Sequence, residues 1–428
     1  MFQMHLQKQN LKTLHTNKNI PVTMSARSEK IKSFNQNRVP EILQLKYEAM
    51  RENAFRFYRG TCGLFYERLS KVKHIPASPT GWICGDLHLE NFGSYRGNNK
   101  LVYFDLNDFD EAIKAPVLWE VIRLVTSILI AFQTLEIESD QAMHMAGLFI
   151  KTYAATLFGG KAMDLDPRTS KGIVRDFLTR AEKSKYGDLL KKRTLEKGGK
   201  ILLDLEDERH FKLDKALKSE LKEHITSWLL NNNDSPYNYK VKDVVYRIAG
   251  TGSLGQKRYL FLLKSTNRKD SYLLIDMKEA YPSSLANVVK EQQPQWTSEA
   301  ERIVRVQKRM QHVSSSLLST SEFKGAHYVM QELQPVKDTI KFKLIREDYR
   351  HIYQVIDDMA MLTASSQLRS SGMDGTATKD ELKAFADRND WQDSLLKICT
   401  EQAALVCADY GAFLQDYRNG DYETPNQE

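Results

Sequence analysis

Cysteine is scarce in this chain of 428 residues, and the four that occur, Cys62, Cys84, Cys399 and Cys407, form neither a Cys-x-x-Cys pair nor a zinc-ligand spacing. That pattern suits buried thiols in a reducing compartment. An apolar leader is missing too: the first residues, Met-Phe-Gln-Met-His-Leu-Gln-Lys-Gln-Asn, lack the apolar core of a secretory signal. The most apolar stretch, Val121 to Phe132, is too short to span a bilayer and contains Arg123. These absences predict a cytoplasmic protein with no membrane partner. Neither sign of charge dominates. The formal net charge of +7 comes from 62 basic and 55 acidic residues spread along the chain, so no footprint for nucleic acid is present.

What is present is ordinary for a globular protein, 41% hydrophobic and 27% charged residues, and long enough for two or three domains or one large two-lobed enzyme. Residues 1–35 read as a polar extension. From Pro40, apolar residues fall at helical spacing, and a second helix is expected to about Val72. Residues 80–111 read as short strands and loops, and two apolar helical runs follow, Leu118 to Phe132 and Asp140 to Phe158. In residues 159–235 charged side chains dominate, which predicts exposed helices on the edge of the core. A strand meander is expected from Val241 to Lys278, then a helix from Ser298 to Ser315 and a strand from His327 to Leu333. Helices are expected over 345–370 and 379–418.

Chemistry concentrates between Cys84 and Glu111, where Asp86, His88, Asn91, Asp105, Asp108 and Asp110 stand among apolar residues typical of short buried strands. A magnesium-nucleotide site needs such hard oxygen ligands, with one carboxylate to accept a proton. Gly-Asp-x-His is also a dinuclear-metal phosphoesterase string, but the ten histidines are scattered and no Gly-Asn-His-Asp cluster accompanies it, which excludes that chemistry. Asp86 and Asn91 have the spacing of the kinase catalytic loop H-R-D-x-x-x-x-N, in which the Asp is the base and the Asn holds a metal. Asp105 falls where a metal-binding D-F-G aspartate is expected, with Asn107 in place of its glycine. Asp108 and Asp110 either add metal ligands or cap the helix led by Pro116. His88 suits orienting the loop through a hydrogen bond better than binding metal. Arg59 suits holding the loop by pairing with a site acid better than gripping a phosphate.

Gly250-Thr251-Gly252-Ser253-Leu254-Gly255 fits G-x-G-x-x-G, a weak signal alone. A strand precedes it and a strand follows, the context of a kinase nucleotide-covering loop and not of a Rossmann turn. Gly250, Gly252, Ser253 and Gly255 are therefore candidate nucleotide contacts. Lys278, two strands along, either pairs with the nucleotide phosphates or snorkels to water from a strand end.

The stretch from Cys84 to Glu120 resembles aminoglycoside phosphotransferases and related kinase-like enzymes, whose loop reads Gly-Asp-x-His-x-x-Asn. That resemblance implies Asp86 as base, Asn91 and Asp105 as magnesium ligands, a structural role for Glu120, and Gln331 in the hinge strand Met330-Gln331-Glu332-Leu333. The whole chain from about residue 35 also resembles the uncharacterised bacterial domain-of-unknown-function 2252 family. The matching strings are Arg38-Val39-Pro40-Glu41, Phe57-Tyr58-Arg59-Gly60, Gly85-Asp86-Leu87-His88-Leu89-Glu90-Asn91-Phe92-Gly93, Phe104-Asp105-Leu106-Asn107-Asp108-Phe109-Asp110-Glu111, Gly250 to Gly255, Met277-Lys278-Glu279-Ala280 and Tyr328-Val329-Met330-Gln331. The family's usual acidic residue after the lysine strand is Arg305 here, leaving Glu299 or Glu301 as partner for Lys278. Its Ala-His-Ala-Arg-Ser-Gly pattern appears as Ser365-Ser366-Gln367-Leu368-Arg369-Ser370.

Together these readings predict an α+β, two-lobed, protein-kinase-like fold in circularly permuted order, because the glycine loop and lysine follow the catalytic loop. The first part of the helical lobe would span 36–158, a charged helical insertion 159–235, the small antiparallel-sheet lobe 236–335, and the rest of the helical lobe 336–428. The expected activity is ATP- and magnesium-dependent phosphoryl transfer to a hydroxyl on an unidentified small-molecule or protein acceptor. A non-catalytic nucleotide-binding regulator and a nucleotidyl transferase are the alternatives.

Overall fold

The computed structural model describes residues 25–334 and 339–423, so residues 1–24 of the expected polar extension and the end of the hinge strand near Pro335 lie outside the described residues. The fold is α+β with small antiparallel sheets. One large core joins helices from both ends of the chain. The helices Val117–Thr134 and Ser139–Gly159 pack with Tyr349–Arg369, Lys379–Asp387 and Gln392–Arg418, and the N-terminal helices Pro40–Arg51, Ala54–Gly60 and Cys62–Leu69 close against them. Val117–Thr134 is buried nearly all round, which explains its continuous apolar sequence. At 18 residues it is longer than the apolar run alone suggests and apolar enough to cross a membrane by length and composition, yet 78% of it is buried inside the protein's own core.

The second body is a six-stranded antiparallel sheet. Its spatial order is Ser319–Phe323, Ala326–Glu332, Tyr272–Glu279, Arg258–Ser265, Tyr239–Arg247 and His210–Phe211. Strand alternation gives it two apolar faces. Val244, Tyr246, Phe261, Leu263, Ile275 and Met277 form one, and Val245, Leu260, Leu262 and Leu274 the other. The helix Glu299–Met310 follows the meander and buries Ile303, Val306 and Met310 in the helical core, tying the two bodies together.

Residues 159–235 depart from the expected exposed helices. They hold the helices Gly172–Lys183, Tyr186–Arg193 and Lys215–Asn231, but also the hairpin of Thr194–Lys197 with Lys200–Leu203 and the edge strand His210–Phe211 of the main sheet. Lys215–Asn231 covers a sheet face with Leu221, Ile225 and Trp228, a helical stripe hidden among lysines and glutamates. Leu203 of the hairpin joins the opposite face.

Two short antiparallel strand pairs carry the acidic segment. Thr80–Ile83 pairs with Ile113–Pro116, and Phe92–Arg96 pairs with Val102–Leu106. Between them Gly85 takes φ +82°, and a Cβ there would stand 2.3 Å from the Glu111 carbonyl oxygen, so only glycine lets the two loops meet.

Candidate active site

Asp86 leaves the strand Thr80–Ile83 at a turn fixed from three sides. Tyr66 donates its hydroxyl to the Gly85 carbonyl at 2.5 Å, the Cys84 N–H donates to Glu120 at 2.6 Å, and Asn91 Nδ2 donates to the Asp86 carbonyl at 2.5 Å. Glu120 thus holds the structural position expected of it; it is fully buried, and burial pushes its carboxyl up to about 6. Asp86 Oδ1 accepts from Arg123 Nη2 at 2.6 Å and Nε at 3.1 Å. Arg123 is wholly buried, donates also to the Tyr58 carbonyl at 3.0 Å, and lies with its guanidinium 3.9 Å from the Tyr58 ring centroid. Burial raises the Asp86 carboxyl to about 6 even though Arg123 opposes the shift.

The glycine loop meets this carboxylate. A Cβ on Gly252 would lie 3.9 Å from Asp86 Oδ2 and 3.6 Å from the Arg59 carbonyl oxygen. An N-terminal segment straps the loop in place: Val39 N–H donates to the Gly255 carbonyl at 2.7 Å, Arg38 Nη1 to the Leu254 carbonyl at 2.5 Å, and Lys46 Nζ to the Gly252 carbonyl at 3.2 Å. Gly255 has φ +85° and packs against Arg38, where a Cβ would come within 2.8 Å. Ser253 turns its hydroxyl back to the Ala249 carbonyl.

A cavity of about 370 Å³ opens between these parts, lined by Asp86, Asp108, Asp110 and Glu111, by Gly252 and Ser253, and by Arg38, Lys46 and Arg59. The volume is in the range of small-molecule sites. Lys278, itself not among the lining residues, forms an ion pair with Asp110 of the cavity wall. Burial alone would raise Asp110, but the Lys278 ammonium beside it carries its carboxyl below the usual range. Arg302, buried in the helix Glu299–Met310, donates to the carbonyls of Asp110 and Tyr281 at 2.9 Å each and to that of Ala112, fixing the acidic turn. Glu111 accepts from the Ser284 N–H at 2.6 Å.

Several expected roles are redistributed. Lys278 pairs with Asp110 and not with Glu299 or Glu301, which bind Arg302 and Arg305 respectively. Asp105 does not line the cavity. It is buried, its Oδ2 accepts from Arg369 Nη2 at 3.0 Å and its Oδ1 from the Leu106 N–H, so its oxygens are committed away from Asp86. Asp108 and Asp110 take the cavity positions instead, and neither caps the helix Val117–Thr134, whose N-terminus has no side-chain cap. His88 is buried outside the cavity. The Glu90 N–H donates to its Nδ1 at 3.1 Å, and Arg59 Nε lies 3.2 Å from its Nε2. Burial and the neighbouring Arg59 keep it neutral, so it positions the loop. Arg59 pairs with Glu90 on that loop. Asn91, Gly250, Gly255, Lys278 and Gln331 are not among the residues lining the cavity; Gln331 stands opposite Asp276 in the sheet.

Sequence reasoning missed Arg123, Arg302, Arg38 and Lys46. Arg123 alone had a local signal, a single cation inside an apolar helix. Among the described residues no group of three or more histidines, cysteines or acids is gathered for a metal ion.

Residues 38–416 match the family described as an uncharacterised protein conserved in bacteria, domain of unknown function 2252. The chain belongs to that family. No curated protein and no solved structure matches it.

Proposed function

We propose that this chain is a kinase-like phosphotransferase that uses ATP and magnesium to phosphorylate a hydroxyl-bearing acceptor, its kinase-like halves joined in permuted order. The observation that carries the reading is the approach of the glycine loop to the catalytic-loop aspartate, Gly252 against Asp86 Oδ2. Phosphoryl transfer needs main-chain donors beside a carboxylate that can take a hydroxyl proton, and little else covalent from the protein. Asp86 has one oxygen held by Arg123 and the other facing the glycine loop, and its carboxyl near 6 is ionised and still basic at neutral pH. Lys278, anchored by Asp110 of the cavity wall, would supply a fixed positive charge toward the phosphates of a bound nucleotide.

Magnesium in such sites is held by one or two protein oxygens plus phosphates, so a preformed cluster is not required. Asp108 on the cavity wall, and the Asn91 Oδ1 of the same loop as Asp86, buried just outside that lining with its Nδ2 bonded to the Asp86 carbonyl, are the residues that would hold it. When bound it would neutralise phosphate charge. An acceptor screen by ATP consumption, with and without magnesium, tests the proposal, and a pyrophosphate readout separates phosphoryl from nucleotidyl transfer.

A specific observation favours a second reading, a nucleotide-binding regulator. Two Arg123 N–H groups already occupy Asp86 Oδ1, and Asp105, the expected metal ligand, is tied to Arg369. Under that reading ATP binds and is not turned over.

A further inference from the structure

The cations around the cavity are not equivalent. Arg123 is matched by Asp86, Lys278 by Asp110 and Arg59 by Glu90. Arg38 and Lys46 line the same cavity, but among the described residues neither has a carboxylate within ion-pair distance. Arg38 donates to the Leu254 carbonyl. Lys46 is 2% exposed and gives two bonds to neutral oxygens, Asn35 Oδ1 at 2.8 Å and the Gly252 carbonyl at 3.2 Å, leaving its third N–H without an acceptor among the described residues. Burying an ammonium without a counter-ion is costly, and burial accordingly pushes Lys46 well below the ordinary lysine range. Asp86 and Glu111 act on it only through longer-range charge. A buried lysine amine on a cavity wall, with the Arg38 guanidinium beside it and no carboxylate within ion-pair distance of either among the described residues, supplies donors that an anion entering the cavity would engage and would help to charge.

We propose that Lys46 and Arg38 form a recognition site for a phosphate-type oxyanion in the Asp86 cavity. This deepens the phosphoryl-transfer reading and rests on it for the identity of the ligand. The oxyanion is either the terminal phosphate of the nucleotide or an anionic group on the acceptor. The two cations come from the N-terminal segment that straps the glycine loop, so the segment that fixes the loop also reads the ligand's charge.

Calorimetric titration of the full chain with ATP, ADP, tripolyphosphate and inorganic phosphate tests this, comparing wild type with Lys46→Met, Lys46→Arg and Arg38→Gln, each checked for folding by circular dichroism. Lys46→Met is expected to weaken the occupying oxyanion about tenfold or more, as the loss of a charge-assisted hydrogen bond does, while Lys46→Arg keeps most of the affinity. A loss for ATP and tripolyphosphate but not ADP identifies the nucleotide's terminal phosphate. A loss for inorganic phosphate with ATP affinity unchanged identifies an acceptor group. Binding of phosphate or tripolyphosphate but of no nucleotide, sensitive to Lys46→Met, keeps the oxyanion site and sinks the ATP reading. Should Lys46→Met fail to fold, Arg38→Gln at its half-buried position carries the same comparison. Affinities for every probe that are equal in wild type and the folded variants, or no binding of any probe by wild type, overturn the proposal.

Discussion

Lys278 and Asp110 meet as an ion pair although 168 residues separate them. Their side chains are 13% and 24% exposed, so the pair is largely withdrawn from open surface, with Asp110 on the cavity wall. This contact brings the sheet meander to the acidic turn.

Breaking that contact has a stability cost and a functional one. Lys278→Met and Asp110→Asn should each destabilise the protein by about 1–2 kcal/mol, and the double variant should lose less than the sum. A urea-denaturation double-mutant cycle checks this; strictly additive losses would mean that the two side chains do not interact.

Arg123 is a larger liability. Arg123→Met removes the guanidinium's bonds to Asp86 and to the Tyr58 carbonyl from a fully buried position and should cost about 3–5 kcal/mol. Arg123→Lys should recover little, since one ammonium cannot reproduce the planar fork that reaches both acceptors. Chemical denaturation of the two variants gives the comparison.

The raised Asp86 carboxyl fixes a pH profile. With a value of about 6 in the folded protein, the basic form accumulates as pH rises through 6. The transfer rate should therefore climb to a plateau above that point. A rate flat between pH 5 and 8 would remove Asp86 from the role of base.

Asp358 supplies a stability test away from the site. Burial, with Asp357 beside it, pushes its carboxyl up to about 7, and its Oδ2 has no hydrogen-bond partner. The unfolded chain ionises this group near 4, so the folded state binds the extra proton between about pH 4 and 7. Its contribution to stability must fall as pH rises through that window and stay low above it. Asp358→Asn should thus gain on the order of 1–2 kcal/mol relative to wild type at pH 8 and little at pH 4. Urea midpoints at the two pH values show whether the gain is pH-dependent.

Much of the architecture was legible in the sequence because it is written in local periodicity. The meander from Tyr239 to Glu279, the helix after it and the long apolar helix from Val117 all follow from alternation or helical spacing. The spacing of Asp86 and Asn91 puts both in one turn, where Asn91 Nδ2 donates to the Asp86 carbonyl. What was not legible depended on distant partners. Asp105 reads as a metal ligand in its own segment, and only the fold shows that Arg369, 264 residues away, donates to it. The charge of residues 215–231 masked the stripe Leu221, Ile225 and Trp228 that belongs to the sheet. Arg38 lies just before the helix Pro40–Arg51 and Lys46 within it, and only the folded glycine loop shows what they touch.

The most direct measurement is nucleotide turnover by wild type and Asp86→Asn, with binding followed in parallel by a labelled ATP analogue with magnesium. The account predicts ADP release by wild type in the presence of an acceptor, a fall of about 100-fold or more in Asp86→Asn, and similar nucleotide affinity in both. Nucleotide binding with no turnover in wild type under any acceptor would contradict the enzyme. Absence of nucleotide binding altogether would contradict the site.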